Sequence, residues 1–191
     1  MAKIAVVYHS GYGHTAEQAK AVMRGVESVS GTSSTLIPVD QAEQHWATLE
    51  AADAIIFGTP TYMGSASAQF KAFMDASYKP WYSQHWKNKI AAGFTNSASQ
   101  SGDKLNTLVQ LAIFAAQHGM IWVGLDLMPG NNNSKGSVND LNRLGGFLGA
   151  LAQSNSDEGP EAGPIVSDLK TAEHLGARVA QITNQFLAGR K

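Results

Sequence analysis

Cysteine is absent from all 191 residues. Its absence excludes disulfides, thiolate catalysis, iron–sulfur clusters and Cys-bound zinc, and makes a reducing, cytoplasmic compartment the unforced expectation. Any redox chemistry must then come from a bound cofactor. Excess charge of either sign is missing too, with 14 Lys and Arg against 15 Asp and Glu. No long-range field therefore recruits nucleic acid or an anionic membrane, and a small neutral or mixed-charge ligand fits better. Long apolar runs are also lacking: the stretch 108–116 falls well short of a membrane span. The N-terminal run 4–8 is too short for a signal-peptide core and enters a glycine loop without a cleavage pattern. No histidine stands at metal-ligand spacing with a second histidine or a carboxylate, so no metal site is expected.

What is present suits one α/β domain spanning 1–191, since 43% hydrophobic residues fill one full core in a chain too short for two ordinary domains. Short β-rich runs alternate with segments of helical period, the pattern of parallel βαβ units. Strands are expected at 3–8, 35–39, 54–57 and 89–94, with a fifth beginning at 121–125 and four helices between them. The first helix carries the stripe Ala16, Ala19, Met23, Val26. The last, entered through the capping pair Ser167-Asp168, carries Ala172, Leu175, Val179, Ile182 and Phe186. Strand five is expected to be interrupted, because Leu127-Met128-Pro129-Gly130 and the polar run 131–136 cannot continue a buried strand while 146–151 resumes an apolar one. That excursion and a second loop, 153–164, are long enough to suggest function.

Three polar, glycine-rich loops follow strands one, three and four. In an open parallel sheet they emerge together at the carboxyl edge, where one ligand can touch all three. The first, Ser10-Gly11-Tyr12-Gly13-His14-Thr15, combines hydroxyls, two glycines and a helix start, so backbone N–H groups converge on an anion. It contains no Lys or Arg, which sets it apart from a P-loop; a flavin monophosphate is held by hydroxyls and backbone alone. The second includes Pro60, Thr61, Tyr62, Met63 and Gly64 and offers one planar and one polarizable side chain to a flavin ring. The third runs through Asn96, Ser97, Ala98, Ser99, Gln100 and Ser101, with small donors and acceptors but no aromatic and no carboxylate. One flavin face is then open, as suits hydride delivery from a nicotinamide.

A competing reading rests on the first loop alone. Gly11 to Ala16 fits the dinucleotide fingerprint G-x-G-x-x-A, and Asp40 ends strand two where a ribose-binding carboxylate would sit. It requires about six strands, one more than the five counted, and leaves the other two loops without a role. A cluster of Tyr78, Trp81, Tyr82, His85 and Trp86 follows helix three; it fits a site mouth, a subunit interface or a satellite hydrophobic cluster. His118 followed by Gly119 ends the helix after strand four, as a capping residue or a group near the site.

The run 3–10 with Tyr12-Gly13-His14, the run 54–61, the helix 69–75 and His118-Gly119-Met120 together resemble the flavodoxin-like NAD(P)H:quinone oxidoreductases of the WrbA type. The resemblance implies a flavodoxin-like three-layer fold with sheet order 2-1-3-4-5. It implies FMN with its phosphate at Ser10 to Thr15, its isoalloxazine at Thr61, Tyr62 and Met63, and further contacts from Asn96 to Ser101. Tyr12 would border NAD(P)H as electron donor. Trp81 would stand at the substrate mouth, offered to a neighbouring subunit's flavin, and His118 would approach the ring. The family reduces quinones by two electrons and assembles as homodimers or homotetramers. An FMN-binding electron carrier or regulatory module without its own turnover is the alternative class. The segment after strand two is shorter here than in the family.

Overall fold

The computed structural model describes residues 1–190. Seven strands form one sheet: β1 (Ala2–Tyr8), β2 (Thr32–Pro38), β3 (Ala54–Tyr62), β4 (Ser65–Ala66), β5 (Ile90–Ser97), β6 (Ile121–Trp122) and β7 (Ala150–Gln153). The order along the sheet is β2-β1-β3-β5-β6; β7 also pairs with β5, and β4 pairs with β3. All pairings are parallel except the two-residue β3–β4 hairpin. The parallel part thus has five positions in the expected flavodoxin-like order.

The fifth position is built in two pieces. Ile90 and Ala91 of β5 pair with β6, whereas Phe94 to Ser97 pair with β7. The chain between them leaves the sheet, as the run of polar residues and glycines requires. The resumed strand lies at Ala150–Gln153, four residues later than expected.

Beyond the sheet lie α1 (His14–Glu27), α2 (Trp46–Ala51), α3 (Ala68–Ala76), α4 (Tyr78–Tyr82), α5 (Lys104–Gln117) and α6 (Val166–Gly189), with a 3-10 turn at Val39–His45. That is one more than the four expected between the strands and the one after them, because α4, five residues long, is too short to show a period. β3 and β5 are apolar on both faces, since helices cover each. On one face α1 and α6 meet Ile4, Val6, Ile56 and Phe94. On the other, Val7, Ile55 and Phe57 pack with Phe70 and Phe73 of α3, Leu111 and Phe114 of α5, and the fully buried Trp86.

Two local expectations need correction. β3 and β5 run on to Tyr62 and Ser97, so Thr59, Pro60, Thr61, Thr95 and Asn96 are strand ends, not loop. Threonine suits a strand, and its hydroxyls are satisfied there: Thr61 Oγ1 lies 2.8 Å from both Thr95 Oγ1 and Thr107 Oγ1. Ser167 and Asp168 do not cap α6. They lie inside its first turn, where Ser167 Oγ donates to the Val138 carbonyl and Asp168 pairs with Arg143.

Candidate functional site

β1 ends at Tyr8, and the chain turns through Ser10 to Gly13 into α1. Gly13 sits at φ 92°, a left-handed conformation that glycine adopts without strain. Ser10 Oγ accepts the Ala16 N–H at 3.1 Å. The first-turn N–H groups of α1 have no intrahelical acceptors, and together with the positive end of the helix dipole they suit an anion. Thr15 is buried beneath the loop.

Ser10, Tyr12, His14 and Thr15 line a cavity of about 370 Å³ together with Pro60, Thr61 and Tyr62 from β3 and Asn96, Ser97 and Ala98 from the end of β5. The three segments expected to converge do so. No Lys or Arg lines the cavity.

Gly11 does not face the cavity. Its backbone passes so close to Tyr62 that an ideal Cβ would stand 2.6 Å from the Tyr62 hydroxyl. Tyr62 meets Tyr12 edge-on, with ring centroids 6.4 Å apart at 74°. Burial, then the neighbouring Tyr12, push the Tyr62 pKa up, and the Gly11 backbone offsets part of this. Met63 and Gly64 form the hairpin tip at φ 48° and 75°. Met63 is fully exposed and lines no part of the cavity, so within this chain it is not brought against the other segments.

The third segment divides. Asn96, Ser97 and Ala98 face the cavity, whereas Ser99 gives its carbonyl to Lys104 Nζ at 2.7 Å. Gln100 and Ser101 turn toward a neighbouring cavity of about 780 Å³ lined by Lys104, Leu105 and Phe147.

Sequence reasoning missed the fourth wall. Ser154, Asn155, Ser156 and Glu158, from the loop after β7, line the same cavity. Ser154 Oγ donates to Asn96 Oδ1 at 3.0 Å, and Gln153 Nε2 donates to the Ala98 carbonyl at 2.9 Å. Across the cavity, His14 Nε2 lies 3.0 Å from the Glu158 carbonyl, and Pro160 packs on Gly13. The length and polarity of 153–164 were the available signal.

The aromatic cluster after α3 splits. Trp86 turns fully inward, stacking on His118 with centroids 4.2 Å apart, while Tyr78, Trp81 and Tyr82 stay exposed on α4. His118 follows α5 as its cap. It is 1% exposed, with Nε2 3.0 Å from Ser77 Oγ and Nδ1 without a partner. Burial lowers its pKa to about 4, so the ring is neutral near pH 7. Trp81 and His118 border a separate cavity of about 420 Å³ with Met74, Tyr78 and Phe114. None of its lining residues faces the three-segment cavity, so one chain alone does not bring His118 or Trp81 to that site. The physical reason is topological: α5 runs back along the sheet from Lys104, beside the end of β5, so His118 at its far end lies near the start of β5, where the Gly119 carbonyl accepts the Asn88 N–H.

Asp40 is exposed after β2, at the lip of a cavity of about 610 Å³ that shares Ser10 and Gly13 with the first loop. It does not line the three-segment cavity. Among the described residues no group of His, Asp or Glu is arranged to hold a metal ion, and no helix is long and apolar enough to cross a membrane.

The model of the NADPH-dependent FMN reductase family matches residues 29–132. The chain is 44% identical to flavodoxin FldP of Pseudomonas aeruginosa, over 98% of this chain and 100% of the relative. It is 32% identical to an NAD(P)H dehydrogenase (quinone) of Trichlorobacter lovleyi, again over 98% and 100%. Among solved structures, a flavodoxin, WrbA-like protein from Agrobacterium tumefaciens superposes with a TM-score of 0.76 at 46% identity, covering 97% of this chain and 99% of that one. By family model, relatives and fold, the chain belongs to the NADPH-dependent FMN reductase family, among its flavodoxin-like members of the WrbA type, whose cofactor is FMN and whose electron donor is NAD(P)H.

Proposed function

We propose that the protein is an FMN-dependent NAD(P)H:quinone oxidoreductase that transfers two electrons by alternate occupation of one site. The observation that carries this reading is the single cavity joining a cation-free anion cradle at α1 to the polar ends of β3 and β5. Ser10 and Thr15, with the N–H groups from Tyr12 to Thr15, hold the FMN phosphate, whose charge the helix dipole offsets. Gly13, left-handed at the helix entry, turns the backbone toward it, and Gly11 leaves room beside it for Tyr62. Pro60, Thr61 and Tyr62 flank the ring system, while Met63 and Gly64, on the exposed hairpin tip outside the cavity, meet it only at its rim. Asn96, Ser97 and Ala98 supply small hydrogen-bonding groups to its edge, and Ser99, Gln100 and Ser101, turned away from the cavity, hold that segment from behind.

Bound FMN supplies hydride acceptance and donation, so no side chain need act as a general base. The residues bind, orient and exclude. Thr61 is fixed by Thr95 and Thr107, and Asn96 by Ser154, so the edge groups are held in place by the protein itself. The exposed ring of Tyr12 borders the open face, where the nicotinamide and then a quinone take the same place. In a homodimer or homotetramer, the exposed face of α4 presents Trp81 to a neighbour's open site, with His118 behind it.

Ping-pong kinetics of quinone-dependent NAD(P)H oxidation, by a protein that releases FMN on denaturation, are the expected result. Sequential kinetics, or oxidation independent of FMN, would overturn the reading. The similarity to flavodoxin FldP favours a second reading, an electron carrier. Redox titration separates them, since a carrier accumulates a one-electron reduced form and the reductase passes directly to the two-electron form.

A further inference from the structure

Lys104 is the first residue of α5, yet its side chain turns back under the end of β5 rather than out to water. It is 1% exposed. Nζ donates to Ser97 Oγ at 2.6 Å and to the Ser99 carbonyl at 2.7 Å. Among the described residues it forms no ion pair. The carboxylate that acts on it, Asp168, is held two-pronged by Arg143, and Arg143 acts on Lys104 with the opposite sign.

Two further factors oppose a cation here. Burial disfavours the charged form, and the first turn of a helix is the positive end of its dipole. Burial lowers the Lys104 pKa only to about 8, so the ammonium persists at neutral pH. A neutral donor would satisfy Ser97 and Ser99 without this cost. A buried charge without a counter-charge is accounted for if an anion forms nearby when the protein works. Ser97 lines the three-segment cavity, which puts the ammonium one hydroxyl behind its wall.

We propose that Lys104 is a positioning residue for the flavin, whose charge, acting through Ser97, favours the reduced ring over the oxidised one. The proposal rests on FMN lying in that cavity with its ring toward Asn96 and Ser97. In hydride transfer the C4–H bond of the nicotinamide breaks and an N–H bond forms at flavin N5. Two electrons and one proton move; the nicotinamide leaves as its oxidised cation and the ring gains one negative charge. A fixed positive charge behind the wall stabilises that product without having to reorganise.

The test compares K104M with the natural protein. Fluorescence titration gives the Kd of oxidised FMN, spectroelectrochemistry gives the midpoint potential, and the two together give the Kd of reduced FMN. In K104M the reduced form is expected to lose about tenfold more affinity than the oxidised form, which lowers the two-electron midpoint by about 30 mV, and K104R is expected to restore most of it. Equal weakening of both forms with an unmoved midpoint would overturn the proposal, leaving Lys104 only to hold the segment in place. If K104M does not fold, K104Q keeps a donor to Ser97 and Ser99: a lowered midpoint supports the role of the charge, and an unmoved one overturns it. A natural protein that takes up no FMN would overturn the parent reading as well, whereas normal uptake with an unmoved midpoint overturns only the role of Lys104.

Discussion

Gly11 and Tyr62 pack against each other beside the cavity, with the tyrosine hydroxyl 2.6 Å from where a Cβ on the glycine would stand. The first loop and the hairpin are therefore fitted to each other. Gly11→Ala must push Tyr62 aside, and with it one wall of the proposed ring site. FMN affinity is expected to fall at least about tenfold, or ~1.4 kcal/mol, with little change in folding stability. Fluorescence titration beside a urea melt checks both.

His14 and Glu158 bridge the cavity from opposite sides, through the imidazole and a backbone carbonyl 3.0 Å apart. His14→Ala removes a bond worth about 1 kcal/mol, and the 153–164 loop is expected to loosen over the proposed phosphate site. FMN dissociation should quicken by about fivefold, and amide exchange in the loop should rise; an unchanged dissociation rate would show that the loop does not retain the cofactor.

How much of this was legible in the sequence differs from element to element. β1 and the core of β3 are continuous apolar runs, and Ser10 to Thr15 holds its glycines and hydroxyls in one contiguous stretch, so both could be read directly. The ends of β3 and β5 could not, because Thr61, Thr95 and Thr107 are far apart in the chain and only pairing shows that each satisfies the others. Ser167 and Asp168 have the chemistry of caps, and tertiary partners in the excursion outbid the local role. His118 was placed correctly as a helix end. Its orientation depends on Trp86, 32 residues earlier in the chain, which no local pattern reveals.

Arg143 and Asp168 form a two-pronged buried pair, with bonds of 2.8 and 2.7 Å, and Asp168 also accepts the Gln153 N–H at 2.9 Å. One carboxylate thus ties the excursion, β7 and α6 together. Asp168→Ala leaves the Arg143 charge buried and alone, and is expected to cost about 3–5 kcal/mol in unfolding free energy. Replacing both residues with apolar ones should cost less. Denaturant melts of the two variants measure the difference.

His118 makes stability depend on pH. Its imidazole takes up a proton near 6.5 when unfolded and only near 4 when folded. Between those values the unfolded chain binds more protons, so this contribution is whole above the unfolded pKa and declines as pH falls toward about 4. The loss is at most roughly 3 kcal/mol. Urea melts across this range should show the decline, and H118Q, neutral throughout, should flatten it.

The most direct test of the assignment is an anaerobic titration of the FMN-loaded protein with NADH and with NADPH, followed by a quinone. Loss of the flavin's visible absorbance with at least one nucleotide, and its full return on adding quinone, is the expected result. A flavin that keeps its colour with both nucleotides would contradict the reductase function and leave a protein that binds FMN without turning it over.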